Sequence, residues 1–141
     1  SCQPCHTTAD AAARANTTRA EIENSLFGLR ARMERWAAAN VGDQGNWDYT
    51  GYVTTAGGTP PAQNLIPIEI KRARHNYYFI LNDSSFGIHN LQYTRYLLEY
   101  ANQGLDTLGV GRAATVTPDS KTIKAILKAD KARIKKADLN E

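Results

Sequence analysis

The stretch Ile22-Glu23-Asn24-Ser25-Leu26-Phe27-Gly28-Leu29-Arg30-Ala31-Arg32-Met33-Glu34-Arg35-Trp36 spaces Ile22, Leu26, Leu29, Met33 and Trp36 alternately four and three positions apart. That alternation brings all five side chains onto one stripe of an α-helix, the a and d positions of a heptad. Outward from this seam no proline occurs between Thr8 and Asn40, and Gly28 is the only glycine. Ala11, Ala12 and Ala13, with Arg30, Arg32, Glu34 and Arg35, are good helix formers. The reading is one long helix over residues 8–40, about eight turns. A stripe of this length needs a partner, either in the chain's own bundle or across an interface with a second copy or another domain.

The rest of the chain supplies further helices and no clear strand. Residues 41–64 hold Gly42, Gly45, Gly51, Gly57, Gly58, Pro60 and Pro61, which break any period, with Trp47, Tyr49 and Tyr52 among them. They read as a long loop whose aromatics anchor it to the domain. Pro67 opens a second helix over 67–82, and Ile68, Ile70, Tyr77, Tyr78, Phe79 and Leu81 give it wide apolar coverage, so it should be largely buried. Asn90 is suited to cap a third, ending near Gln103 before Gly104. Thr117-Pro118-Asp119 caps a fourth, over 120–138, in which Ile123, Ile126, Leu127 and Ile134 form a narrow stripe among seven Lys and Arg residues that make a solvated face. The expected architecture is all-α: about four helices, one very long and N-terminal, in a single domain over residues 1–141.

Composition sets outer bounds. At 141 residues, with 42% hydrophobic and 22% charged residues, the chain suits one globular domain. Its net charge of +3 is too small to argue for nucleic acid, and it lacks an apolar run of bilayer length. No nucleotide-binding loop, nucleophile arrangement or spaced carboxylate pair is visible, so no catalytic residue is assigned.

The chemistry concentrates at the start. Ser1-Cys2-Gln3-Pro4-Cys5-His6 holds both cysteines and sets a histidine directly after the second, the attachment pattern of a c-type haem. In that reading Cys2 and Cys5 bond the porphyrin, and His6 is an axial iron ligand. A redox-active disulfide pair and half of a zinc site are the competing readings; the first wants a βαβ context and the second more ligands, and the sequence offers neither. Two further histidines are candidate second ligands: His75, on the second helix with Phe79 four positions on, and His89, on the connector just before the third. A covalent haem is normally added after export, which places the protein in the periplasm or outside the cell, and no leader precedes Cys2, so an upstream segment is expected.

The order of parts is then informative: haem motif, long helix, Arg74-His75-Asn76-Tyr77-Tyr78-Phe79, Gly87-Ile88-His89-Asn90 with Tyr93 and Leu97-Leu98, and a lysine-rich last helix. It resembles the C-terminal portion of multihaem c-type cytochromes related to the ammonia-forming cytochrome c nitrite reductases and octahaem cytochromes. The resemblance covers nearly the whole chain, with residues 41–64 matching least. It implies that Cys2, Cys5 and His6 form a final haem site, that the long helices pack on a haem array and contribute to a dimer interface, and that His89 is a distal ligand. Leu91 stands where that family usually has proline. The family's catalytic haem lies upstream of its last motif, so the function implied for this segment is electron relay, with other haem domains or redox proteins as partners. The alternatives are a wire and dimer scaffold of a nitrite-reductase-like oxidoreductase, or a haem-free helical interaction module.

Overall fold

The computed structural model describes residues 7–48, 63–112 and 117–138. Four α-helices occur among the described residues: α1 (Thr8–Asn40), α2 (Ile68–Asp83), α3 (Leu91–Thr107) and α4 (Ser120–Asp138), with short 3-10 turns at Gln44–Trp47 and Gln63–Leu65. No strand occurs among the described residues.

α1 begins where Thr7 Oγ1 accepts a bond from the backbone N–H of Asp10 at 3.1 Å, satisfying a donor that the first turn would otherwise leave orphaned. It closes with the Val41 N–H donated to the Ala37 carbonyl, before Gly42 turns the chain at φ +84°. The a/d stripe is spent inside the chain. Ile22, Leu26, Leu29, Met33 and Trp36 are all buried, against α2, α3 and α4. Residues 8–21, by contrast, include no buried side chain, and the hydrogen bonds of the first ten of them are local.

Trp47 shows why the region after α1 is only partly a loop. Asp43 caps a 3-10 turn by accepting from Gly45 N–H at 2.7 Å, and this sends Trp47 into the core. There it meets Tyr77 edge-on at 5.7 Å and stacks on Tyr78 at 5.9 Å. Tyr49 and Tyr52 lie outside the described residues.

In α2 Pro67 stands at the cap position rather than in the first turn, and Ser84 ends the helix in the left-handed region at φ +59°. About half of its residues are buried, Ile70, Ala73, Tyr77, Tyr78, Ile80 and Leu81 together with Arg74 and Asn76, while Ile68 and Phe79 are half exposed. Wide burial holds over half of the helix, between α1, α3, α4 and the Gln44–Trp47 turn, and Ile68 and Phe79 fall on the part left uncovered.

Asn90 caps α3, its side chain accepting from Tyr93 N–H at 3.1 Å. The helix runs through Gly104 to Thr107 because Leu105, fully buried, draws the last turn into the core. Gly109, at φ +71°, provides the actual stop, with Val110 N–H donated back to the Leu105 carbonyl at 3.1 Å. α4 starts at the Asp119 cap, which accepts from Thr122 N–H at 2.9 Å, and buries Ile123 and Leu127.

Two carboxylates inside the core join these elements. Asp130 of α4, 2% exposed, accepts from Arg30 Nε at 2.8 Å, from the Tyr77 hydroxyl at 2.6 Å and from Arg133 at 2.7 Å. Asp48, equally buried, accepts from the Tyr78 hydroxyl at 2.5 Å and pairs with Arg133 at 3.0 Å. Burial, reinforced by the neighbouring carboxylates, pushes both phenols well above their ordinary range, so they remain hydrogen-bond donors.

Candidate functional site

The outer side of α2 and α3 carries aromatic side chains that a soluble bundle normally hides. His75 is exposed on α2 and stacks on Phe79 with ring centres 6.4 Å apart; Phe79 in turn meets Tyr93 of α3 edge-on at 6.5 Å. Further along α3, Tyr96 and Tyr100 stack at 6.2 Å, and Tyr100 shares with Arg72 a groove of about 220 Å3 between the two helices. Phe79, Tyr93, Tyr96 and Tyr100 are each between 43% and 61% exposed, so the face is apolar and accessible at once. Its signal is present in the sequence: Phe79 follows His75 by one helical turn, and Tyr93, Tyr96 and Tyr100 share one side of α3. Apolarity alone suggested burial there.

His89 reaches the same end of the helix pair by a constrained connector. Ser84, Phe86 and Gly87 all have positive φ, at 59°, 49° and 79°. Gly87 is needed twice, for its backbone conformation and because a Cβ there would lie 3.3 Å from Thr94 Oγ1. The guanidinium of Arg19 covers the Phe86 ring at 5.8 Å, tying the connector to α1. His89 is therefore an exposed histidine on a tightly coiled segment, one residue before the α3 cap.

Neither described imidazole makes a hydrogen bond, and both are solvent-exposed, so each can offer a ring nitrogen to a Lewis acid brought to the surface. The described residues contain no group of three or more His, Cys, Asp or Glu able to hold a metal ion unaided. Their donor set suits an axial position on a ring-held iron and does not suit a closed metal cage. Cys2, Cys5 and His6 lie outside the described residues. The bundle interior is filled by side chains such as Trp47, Tyr77, Leu26 and Met33, all at or below 1% exposure, so a ring-sized cofactor would have to lie outside that packed core.

No described helix is long and apolar enough to cross a membrane. Comparison of the chain with protein-family models, with curated proteins and with solved structures finds no match.

Proposed function

We propose that the protein is an electron-transfer cytochrome segment in which Cys2 and Cys5 hold a c-type haem by thioether bonds and His6 binds its iron. The observation that carries this reading is the Cys-x-x-Cys-His run at the start of the chain. Support comes from α2 and the connector after it: His89 and His75 are exposed, free of hydrogen bonds and set beside an accessible aromatic face. Such imidazoles serve as distal ligands, His89 first, either to this haem or to one carried by a neighbouring domain. The haem supplies reversible one-electron exchange at iron, and the surrounding protein sets its potential through ligand type, burial and hydrogen bonding. The partners are other haem domains or redox proteins, and the setting is periplasmic or extracellular.

The haem-free interaction module loses its main argument, because the a/d seam that would receive a partner helix is buried in the chain's own core. The decisive experiment is a visible spectrum, oxidised and dithionite-reduced, of protein matured where haem attachment is competent. Sharp reduced α and β bands that survive acid-acetone extraction are expected. A colourless product under those conditions refutes the proposal.

A further inference from the structure

The inward side of α2 carries a constellation that the haem reading does not use. Trp47, Tyr77 and Tyr78, none more than 9% exposed, form a closed triangle of rings. Trp47 meets Tyr77 edge-on with ring centres 5.7 Å apart and stacks on Tyr78 at 5.9 Å, and the two tyrosines meet edge-on at 5.1 Å. Each phenol has a carboxylate of its own as acceptor: Asp130 Oδ2 for Tyr77 at 2.6 Å and Asp48 Oδ2 for Tyr78 at 2.5 Å. Packing alone does not call for this arrangement, since phenylalanine fills the same space and each aspartate, 2% exposed, loses its hydration.

Phenol and indole rings give up an electron more readily than any other side chains except those containing sulfur. Oxidation turns a phenolic O–H into a strong acid, so it proceeds easily only where a base stands within hydrogen-bond reach. Asp130 and Asp48 stand there, and burial keeps both phenols protonated until an electron leaves. Arg30 donates to the same Asp130 oxygen as Tyr77, and Arg133 pairs with both aspartates. These guanidinium groups favour the charged carboxylates, so a transferred proton goes back to the phenol when an electron returns. Tyr78 is the ring nearest solvent, and Tyr77 is fully buried.

We infer that Trp47, Tyr77 and Tyr78 form a redox-active relay that gives one electron to an oxidant of high potential, of the class of peroxide-derived radicals, and holds the resulting hole as a buried tyrosyl radical. In that step one electron passes to the oxidant, the phenolic O–H bond breaks, and the proton forms a new O–H bond to the aspartate Oδ2. The products are a neutral tyrosyl radical, an aspartic acid and the oxidant reduced by one electron; electron return reverses both transfers. Contact between the rings lets the hole be shared within the triangle, and burial keeps other radicals from reaching it. The relay uses none of Cys2, Cys5 and His6, so it stands or falls independently of the haem.

Electron paramagnetic resonance after flash oxidation by a photogenerated ruthenium(III) tris-bipyridine complex tests the inference. Two versions of the full chain are compared. One keeps Tyr77 and Tyr78 as its only tyrosines, with Tyr49, Tyr52, Tyr93, Tyr96 and Tyr100 replaced by phenylalanine; the other carries Tyr77→Phe and Tyr78→Phe alone. Circular dichroism checks that each is folded. The first is expected to give a long-lived signal whose hyperfine structure collapses with β-deuterated tyrosine and which decays more slowly in deuterium oxide, because proton return is part of the decay. The second should lose that component and keep only the short-lived radicals of exposed rings such as Tyr96. Where the double change unfolds the chain, Tyr77→Phe and Tyr78→Phe are read singly, and each should shorten or weaken the signal. The inference is overturned if the folded first protein gives no tyrosyl signal, if the long-lived component survives unchanged without Tyr77 and Tyr78, or if its decay is the same in both solvents.

Discussion

The hydroxyl of Tyr77 donates a 2.6 Å hydrogen bond to the carboxylate of Asp130, 53 positions later, fastening α2 to α4 at a point where neither residue reaches solvent. Because Asp130 also accepts from Arg30 and Arg133, its removal leaves the phenol without its acceptor and takes one of two carboxylate partners from each guanidinium, Arg30 keeping Glu34 and Arg133 keeping Asp48. Asp130→Ala should cost about 3–5 kcal/mol, the usual consequence of leaving one side of a buried pair. Tyr77→Phe should cost about 1–3 kcal/mol. Urea unfolding followed by circular dichroism measures both, and an Asp130→Ala protein within about 0.5 kcal/mol of the parent would contradict the assignment.

Trp47 gives a separate test of the segment after α1. Its ring is 1% exposed and contacts both Tyr77 and Tyr78. Trp47→Ala should destabilise by about 3–5 kcal/mol. Were residues 41–48 a free loop, the change would cost almost nothing.

Three glycines should respond in different directions. At Gly104, inside α3, an added Cβ would lie 3.6 Å from the Glu69 Cβ, an ordinary contact, and at Gly28 it would meet open space. Alanine at either position should raise stability by roughly 0.5–1 kcal/mol through helix propensity. Gly109 has φ +71°, where Gly109→Ala should instead cost about 1–2 kcal/mol. Thermal melts of the three variants check the order.

Acid sensitivity follows from the arginine cluster at the end of α3. Hydrogen bonding by Arg112, with help from Arg32, lowers the Asp106 carboxyl to about 2, and Arg112 likewise lowers Glu99. A carboxylate with a depressed folded pKa adds stability that is present above its unfolded value of 3.8 and is lost as pH falls towards 2. Glu34 has the opposite sign: burial raises it, so its contribution to stability falls as pH rises above 4.5 through the raised folded value. Arg112→Gln should therefore move acid unfolding to higher pH, whereas Glu34→Gln should flatten the pH dependence above 4.5. Melting temperatures between pH 2 and 7 separate the two effects.

For the histidines the prediction concerns spectra. In haem-loaded protein His89→Ala should convert a low-spin reduced spectrum to high spin if that haem takes its second ligand from His89, and added imidazole should restore it. His75→Ala is the paired control. Unchanged spectra in both variants would move the second ligand outside this chain.

Much of the fold was legible because its apolar residues are periodic. The α1 stripe marks a helix whose span, Thr8–Asn40, coincides with the one observed, and the Asp119 cap fixes the start of α4. Less was legible where one local signal competed with another. Gly104 looked like a helix stop, but burial of Leu105 overrides it and the positive φ falls at Gly109. Asp130 sits among lysines in sequence, and nothing local reveals that Tyr77 and Arg30 wait for it across the core. The exposure of Phe79 and Tyr93 was equally hidden, since an aromatic on an amphipathic helix has the same spacing whether a neighbour covers it or not. The Cys2-x-x-Cys5-His6 run is explicit in the sequence and lies outside the described residues.

Residues 8–21 of α1 contribute no buried side chain. Arg19 on the Phe86 ring and Glu21 in its ion pair with Arg95 tie the end of that stretch to the connector and α3, which leaves residues 8–18, about 16 Å of helix at 1.5 Å per residue, without such a tie. Held by its Thr7 cap and by alanine-rich composition, it gains little from tertiary packing, and a helix of that length alone is marginal in water. Its amides should exchange with deuterium far sooner than those around Met33, as a separate low-stability unit.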